Sequence, residues 1–190
     1  MKTMDVYEQI PVLENEEFLL RAIHADTDME DLFKVYSDKK AVSFFNADNC
    51  HGDRFYYDTM EKMKKAVEFW DFSYENKYFV RWAIVHKVSG QVVGTIELFN
   101  RQAEDYFNNY GLLRLDVRSD YETTERIGSI LDAILPKVQE LFHCDKIATK
   151  AIAAAGQRIE ALKQHGFSLS EEMLIGNDGT KYDSYYVKRV

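Results

Sequence analysis

Residues 111–167 constrain the fold of this chain more than any other stretch, because the hydrophobic period switches back and forth there without a linker. Leu113, Leu115 and Val117 alternate with Arg114, Asp116 and Arg118, which predicts a strand with one apolar face. After a polar turn, Ile127, Ile130, Leu131, Ile134, Leu135, Val138 and Leu141 recur at helical steps and predict a long amphipathic helix. Pro136 falls inside it, removes an amide donor and predicts a bend. Residues 146–152 read as a short strand, and 157–165 as a short helix that Gly166 closes in the C-terminal cap position. Leu113, Leu115, Val117, Ile127, Leu131, Ile134, Val138, Ile147, Ile159 and Leu162 are the expected shared core.

The rest of the chain supplies elements around that unit. Residues 16–25 form an expected first strand, and Thr27-Asp28-Met29-Glu30 has the capping-box form that starts a helix. Tyr56, Met60, Met63, Val67 and Trp70 place a second amphipathic helix over 53–70, its aromatic and methionine stripe facing a core. Residues 79–87 and 91–99 make a hairpin about Ser89-Gly90, with Gly94 marking a bulge or a close approach. A last hairpin, 167–175 with 181–188, turns at Asn177-Asp178-Gly179. The succession predicts one α/β domain over 1–190, a mixed central sheet flanked by helices.

Composition narrows the partners. The 190 residues carry a net charge of -8, the wrong sign for a nucleic-acid backbone binder and a suitable one for a basic partner. Cys50 and Cys144 lie far apart with no metal-ligand spacing, so neither a disulfide framework nor a metal is expected. No run approaches the roughly 18 apolar residues of a membrane span, and no apolar leader opens the sequence. A cytoplasmic location is the expectation. Nothing in the sequence fixes an oligomeric state.

Leu115-x-Val117-x-Ser119-Asp120-Tyr121 parallels a Leu-x-Val-x-Pro-Asp-Tyr pattern, and the 111–167 stretch closes on Leu162-Lys163-Gln164-His165-Gly166-Phe167. In these segments and in element order the sequence resembles the GCN5-related N-acetyltransferases, especially the branch containing ribosomal-protein N-terminal acetyltransferases. That resemblance covers nearly the whole chain. It implies acetyl-CoA as co-substrate, a primary amine as acceptor (protein N-terminus, lysine, polyamine or small amine), and a cofactor site at Leu115, Asp116 and Val117. It implies a pyrophosphate loop at Thr123, Thr124, Glu125, Arg126, Ile127, Gly128 and Ser129. The family pattern there is Arg/Gln-x-x-Gly-x-Gly/Ala, and of its glycines the chain keeps only Gly128; Arg126 stands where the first would be. Ala155 and Leu162 replace a cofactor-contacting asparagine and a general-acid tyrosine.

Backbone amides at a helix start can hold an anion whatever the side chains. Glycine adds room and positive φ, which Arg126 removes while offering a guanidinium that either pairs with phosphate or fills the space. Acyl transfer to an amine also needs a proton acceptor. Glu97, on the strand beside the expected cofactor strand, is the candidate base, expected to face the acceptor cleft; Asp116 is the second. Cys50-His51 reads as a polar loop, and His86 as a packed strand histidine. The competing expectation is a protein that keeps the fold as a binding module with its cofactor loop closed by Arg126 and Glu125. A different acyl group, or a ligand unrelated to CoA, in the same cleft is a further alternative.

Overall fold

A computed structural model describes residues 4–190. Strands β1 (Leu13–Glu14) and β2 (Phe18–Ala22) precede helices α1 (Ala25–Tyr36), α2 (Lys39–Val42) and α3 (Met60–Glu75). Strands β3 (Val80–His86), β4 (Val92–Arg101) and β5 (Tyr110–Val117) follow, then α4 (Thr124–Ile134), α5 (Val138–Phe142), β6 (Lys146–Lys150) and α6 (Gly156–Gln164). The chain ends with β7 (Ser168–Leu169), β8 (Leu174–Ile175), β9 (Lys181–Tyr182) and β10 (Tyr185–Arg189). Among the described residues eight strands form one mixed sheet in the order β1-β2-β3-β4-β5-β6-β10-β7, in which only β5 and β6 pair in parallel. β8 and β9 form a separate ribbon.

Alternation divides the sheet into two faces. Trp82, Ile84, Ile96, Leu98, Leu113, Leu115 and Val117 are buried on one face with Ile127, Leu131, Ile134, Val138, Ile147 and Leu162 from the elements that follow β5. Of the expected core only Ile159 is partly exposed. Ala83, Val85 and Val92 lie on the other face with Tyr36 of α1 and Met63, Val67 and Trp70 of α3. Burying each such large side chain contributes about 1.5–3 kcal/mol, so both faces hold the sheet firmly.

Local chemistry sets the element ends. α1 begins two residues ahead of Thr27 because the Asp28 carboxylate reaches back to accept the His24 amide at 2.7 Å and pairs with Arg21. α3 starts only at Met60, where the Thr59 hydroxyl caps it. Asn49, His51, Gly52 and Phe55 ahead of it have positive φ and cannot continue a helix. Pro136 ends α4 in a 3-10 turn, Leu135–Lys137, before α5 resumes. The last hairpin splits, with Ser168 and Leu169 joining β10 while Leu174 and Ile175 pair with β9. Among the described residues no helix is long and apolar enough to cross a membrane.

Candidate active site

The parallel pair β5 and β6 does not stay paired. Its register runs from Gly111↔Ile147 to Leu113↔Thr149, whereas β5 continues to Val117. β6 stops at Lys150, and the next amide, of Ala151, turns away to the Ser184 carbonyl. On its other edge β5 remains bonded to β4, through to the Arg118 amide on the Val93 carbonyl. The strands therefore part on one side, at Leu115–Val117. Outside this gap lies a cleft of about 460 Å³ lined by Lys40, Phe44, Ser119, Glu122, Ala155 and Gln157. The Asp38 side chain caps α2 and also accepts the Ser119 amide at 2.8 Å, which fixes the Lys40 wall against the end of β5.

At the start of α4, the expected pyrophosphate loop is largely satisfied from within. The Thr123 hydroxyl accepts the Arg126 amide at 3.3 Å, and Gln157 Oε1 accepts the Thr124 amide at 2.9 Å. Glu125 is exposed, and Ile127 is buried in the core. Ser129 holds Asn15 through its carbonyl, at 2.7 Å, and its hydroxyl. Gly128 serves helix packing, since a Cβ there would meet His165 Cε1 at 3.1 Å. Arg126 neither fills the cleft nor points into it. Its guanidinium lies 4.1 Å from the Tyr121 ring centroid and donates to the Asp120 carbonyl.

The side chain that fills the gap is Arg158, in the first turn of α6 and 2% exposed. Its Nη1 donates to the Leu115 carbonyl at 2.8 Å, on the β5 edge that β6 has left. Nε and Nη2 both donate to Glu122, each at 2.8 Å, a two-point pairing of planar groups. The guanidinium already holds the Leu115 carbonyl, so that backbone acceptor is not free for a ligand lying in the gap. The outer cleft is open; the inner throat is not. Nothing in the local sequence marks Arg158, whose partners lie 36 and 43 residues away.

Glu97 sits in a charged layer on the α1–α3 face. Register places Arg81, Glu97 and Arg114 in one row across three strands, with Ala83, Thr95 and Asp116 in the next. Both Glu97 oxygens are taken, one by Arg81 and one by Arg114 at 2.6 Å, and the residue is 1% exposed. Burial alone would raise its carboxyl; the two guanidiniums outweigh burial and hold it below the usual carboxylate range. The expectation that Glu97 opens onto an acceptor cleft is thus corrected: its lone pairs point at arginines. Burial raises Asp116, and Arg81 and the Tyr36 hydroxyl, at 3.1 and 2.6 Å from Oδ2, offset that only in part. Its Oδ1 has no protein partner among the described residues. The Arg81 guanidinium also stacks on Trp70, 4.3 Å from the ring centroid.

On that same face the layer reaches two adjoining crevices. Arg114 donates to the Asp48 carbonyl at 2.9 Å, and Asp48 receives Lys150 at 2.6 Å and the Tyr185 hydroxyl at 3.0 Å. One crevice, of about 530 Å³, is bordered by Asp48, Cys50, His51, Asp53, Asp178 and Tyr182. The other, of about 470 Å³, includes Phe99, Arg101, Asp105, Arg114 and Asn177. Cys50 donates to the Asp48 carbonyl and burial pushes its thiol up, which argues against a nucleophile. His86 packs by its ring on Phe18 and meets the Tyr121 hydroxyl at 2.9 Å.

No family model matches the sequence, and no curated protein matches it. Solved structures do resemble it. A GNAT-family acetyltransferase from Bacillus anthracis superposes with a TM-score of 0.68 at 13% identity, over 94% of this chain and 98% of its own. A candidate ribosomal-protein-serine acetyltransferase from Vibrio cholerae gives 0.70 at 10% identity, over 95% and 98%. The microcin C7 self-immunity acetyltransferase MccE, solved with acetyl-CoA and AMP, gives 0.66 at 15% identity, over 93% and 94%. The chain has the fold of the GCN5-related N-acetyltransferases. At such identities the fold is what is shared.

Proposed function

We propose that this chain is an acyl-CoA-dependent N-acetyltransferase that moves an acetyl group from acetyl-CoA to a primary amine. The observation that carries this is the parting of β5 and β6 beyond Leu113, which leaves the Leu115–Val117 edge beside an open cleft and the first turns of α4 and α6. The acetyltransferase fold supports it. A basic acceptor (protein N-terminus, lysine, polyamine or small amine) fits the net charge of -8 and the carboxylates of Asp53 and Asp178 at the crevice beside the charged layer. The cytoplasm, one domain, and no nucleic-acid or membrane partner belong to the same reading. Leu115, Val117 and the start of α4 at Thr123–Glu125 are the proposed cofactor segment, through backbone rather than side chains, with Ile127, Gly128 and Ser129 given over to packing. Glu97 enters as a positioning residue that holds Arg114 at the crevice wall.

A second reading, a binding module that has lost transfer, is favoured by Arg158 in the throat. Thermal unfolding with and without CoA and acetyl-CoA separates the two. A ligand at about a hundred times its dissociation constant stabilises by roughly 2.7 kcal/mol. For a chain of this size that is a rise in Tm of roughly 5–11 °C. No shift at millimolar CoA, in the parent or in a variant lacking the Arg158 side chain, favours the module.

A further inference from the structure

Glu122 and Arg158 come from the two segments that border the gap, one just ahead of α4 and one at the start of α6. Each is almost wholly buried, with side chains 7% and 3% exposed. Three guanidinium nitrogens are committed, two to the carboxylate and one to the Leu115 carbonyl. A carboxylate placed between two helix starts is electrostatically favoured, for the same reason that an anionic ligand would be. The guanidinium, for its part, makes the hydrogen bond to the β5 edge that a ligand lying in the gap would make. Gln157 completes the set by occupying the Thr124 amide.

Resting on the acyl-CoA reading above, we infer that the Glu122–Arg158 pair is an internal competitor for the ligand of this groove. Glu122 fills the anion position and Arg158 fills the throat, so acyl-CoA binds only to molecules in which the pair has opened. The observed dissociation constant then equals the intrinsic one divided by the open fraction. Removing the pair raises affinity instead of lowering it. This is the opposite of what truncating an ordinary phosphate-binding arginine does, and it locates the closure at residue 158, not at Arg126.

The test is calorimetric titration of CoA and acetyl-CoA into the full-length parent, Arg158→Ala and Glu122→Gln, each first checked for native circular dichroism. Both variants should bind roughly tenfold tighter than the parent or better, as expected when a pair that keeps the open form to a tenth or less of the population is removed. Glu122→Gln keeps the shape of the side chain, so it stands as the test if Arg158→Ala does not fold; Arg158→Lys, which loses the planar fork, should fall between parent and Ala. Equal affinity in parent and variants, or weaker binding in the variants, overturns the competitor and leaves the acyl-CoA reading standing. Binding by none of the proteins overturns both.

Discussion

Gly94 and Asp116 meet across β4 and β5 with no room for a side chain: a Cβ added to Gly94 would lie 2.1 Å from the Asp116 carbonyl oxygen. The register between β3 and β4 shifts beside this contact, at Ile84 and Val85, so the bulge and the close approach occur together. Because the obstacle is backbone, no rotamer change relieves it. Gly94→Ala should cost about 3 kcal/mol, the upper end for a methyl forced into a packed interior. The measurable result is a Tm lower by roughly 6–12 °C. A Tm within about 2 °C of the parent, under 1 kcal/mol at this size, would show that the strands can separate freely there.

Glu97→Gln tests whether that carboxylate is structural or acts as a base. The substitution leaves Arg81 and Arg114 buried without their shared countercharge, which costs about 3–5 kcal/mol for a broken buried pair. Urea denaturation should show the loss directly as a lower midpoint with unchanged slope. General-base loss would look different, with native stability and turnover reduced by about 10²–10⁴-fold.

Two carboxyls in the charged layer should titrate against stability with opposite signs. Glu97 is held below its ordinary value of 4.5, so its contribution is complete above that pH and is lost as pH falls through the lower folded value. Asp116 is held above its ordinary value of 3.8, so the folded state binds that proton more tightly and stability declines as pH rises through the folded value. Asp116→Asn should therefore gain stability relative to the parent as pH rises above the ordinary aspartate value of 3.8. The Glu97→Gln deficit should stay level above the ordinary value of 4.5 and shrink below it. Denaturation midpoints at several pH values decide it, and a flat Asp116→Asn difference would remove the raised titration.

The fold was largely legible in the sequence because strand and helix periods in β5, α4 and β6 agree with their burial, and because Gly94 and Pro136 act locally. The charged layer was half legible. Arg81 and Glu97 stand among largely apolar strand residues and Arg114 lies on the charged face of its strand, and the Ser89-Gly90 hairpin with its neighbour strand brings the three into one row. Read singly, Glu97 looked like an open carboxylate, since exposure on a strand depends on what covers the face. Arg158 was not legible: a helical arginine on a short polar helix looks solvated, and only the parting of β5 from β6 creates the space it enters. Arg126 stands out in the sequence because it interrupts a motif, yet its stacking on Tyr121 takes it out of the cleft.

Acetyl transfer itself is the most direct measurement. Parent and Arg158→Ala proteins, incubated with acetyl-CoA and a panel of a peptide N-terminus, a lysine peptide and a polyamine, should yield an acetylated amine by mass spectrometry together with free CoA thiol. The rate should exceed the protein-free control, and at limiting acetyl-CoA the variant should be the faster of the two. Absence of acetylated product from both proteins, with native folding and acetyl-CoA bound, would contradict acetyl transfer to these amines.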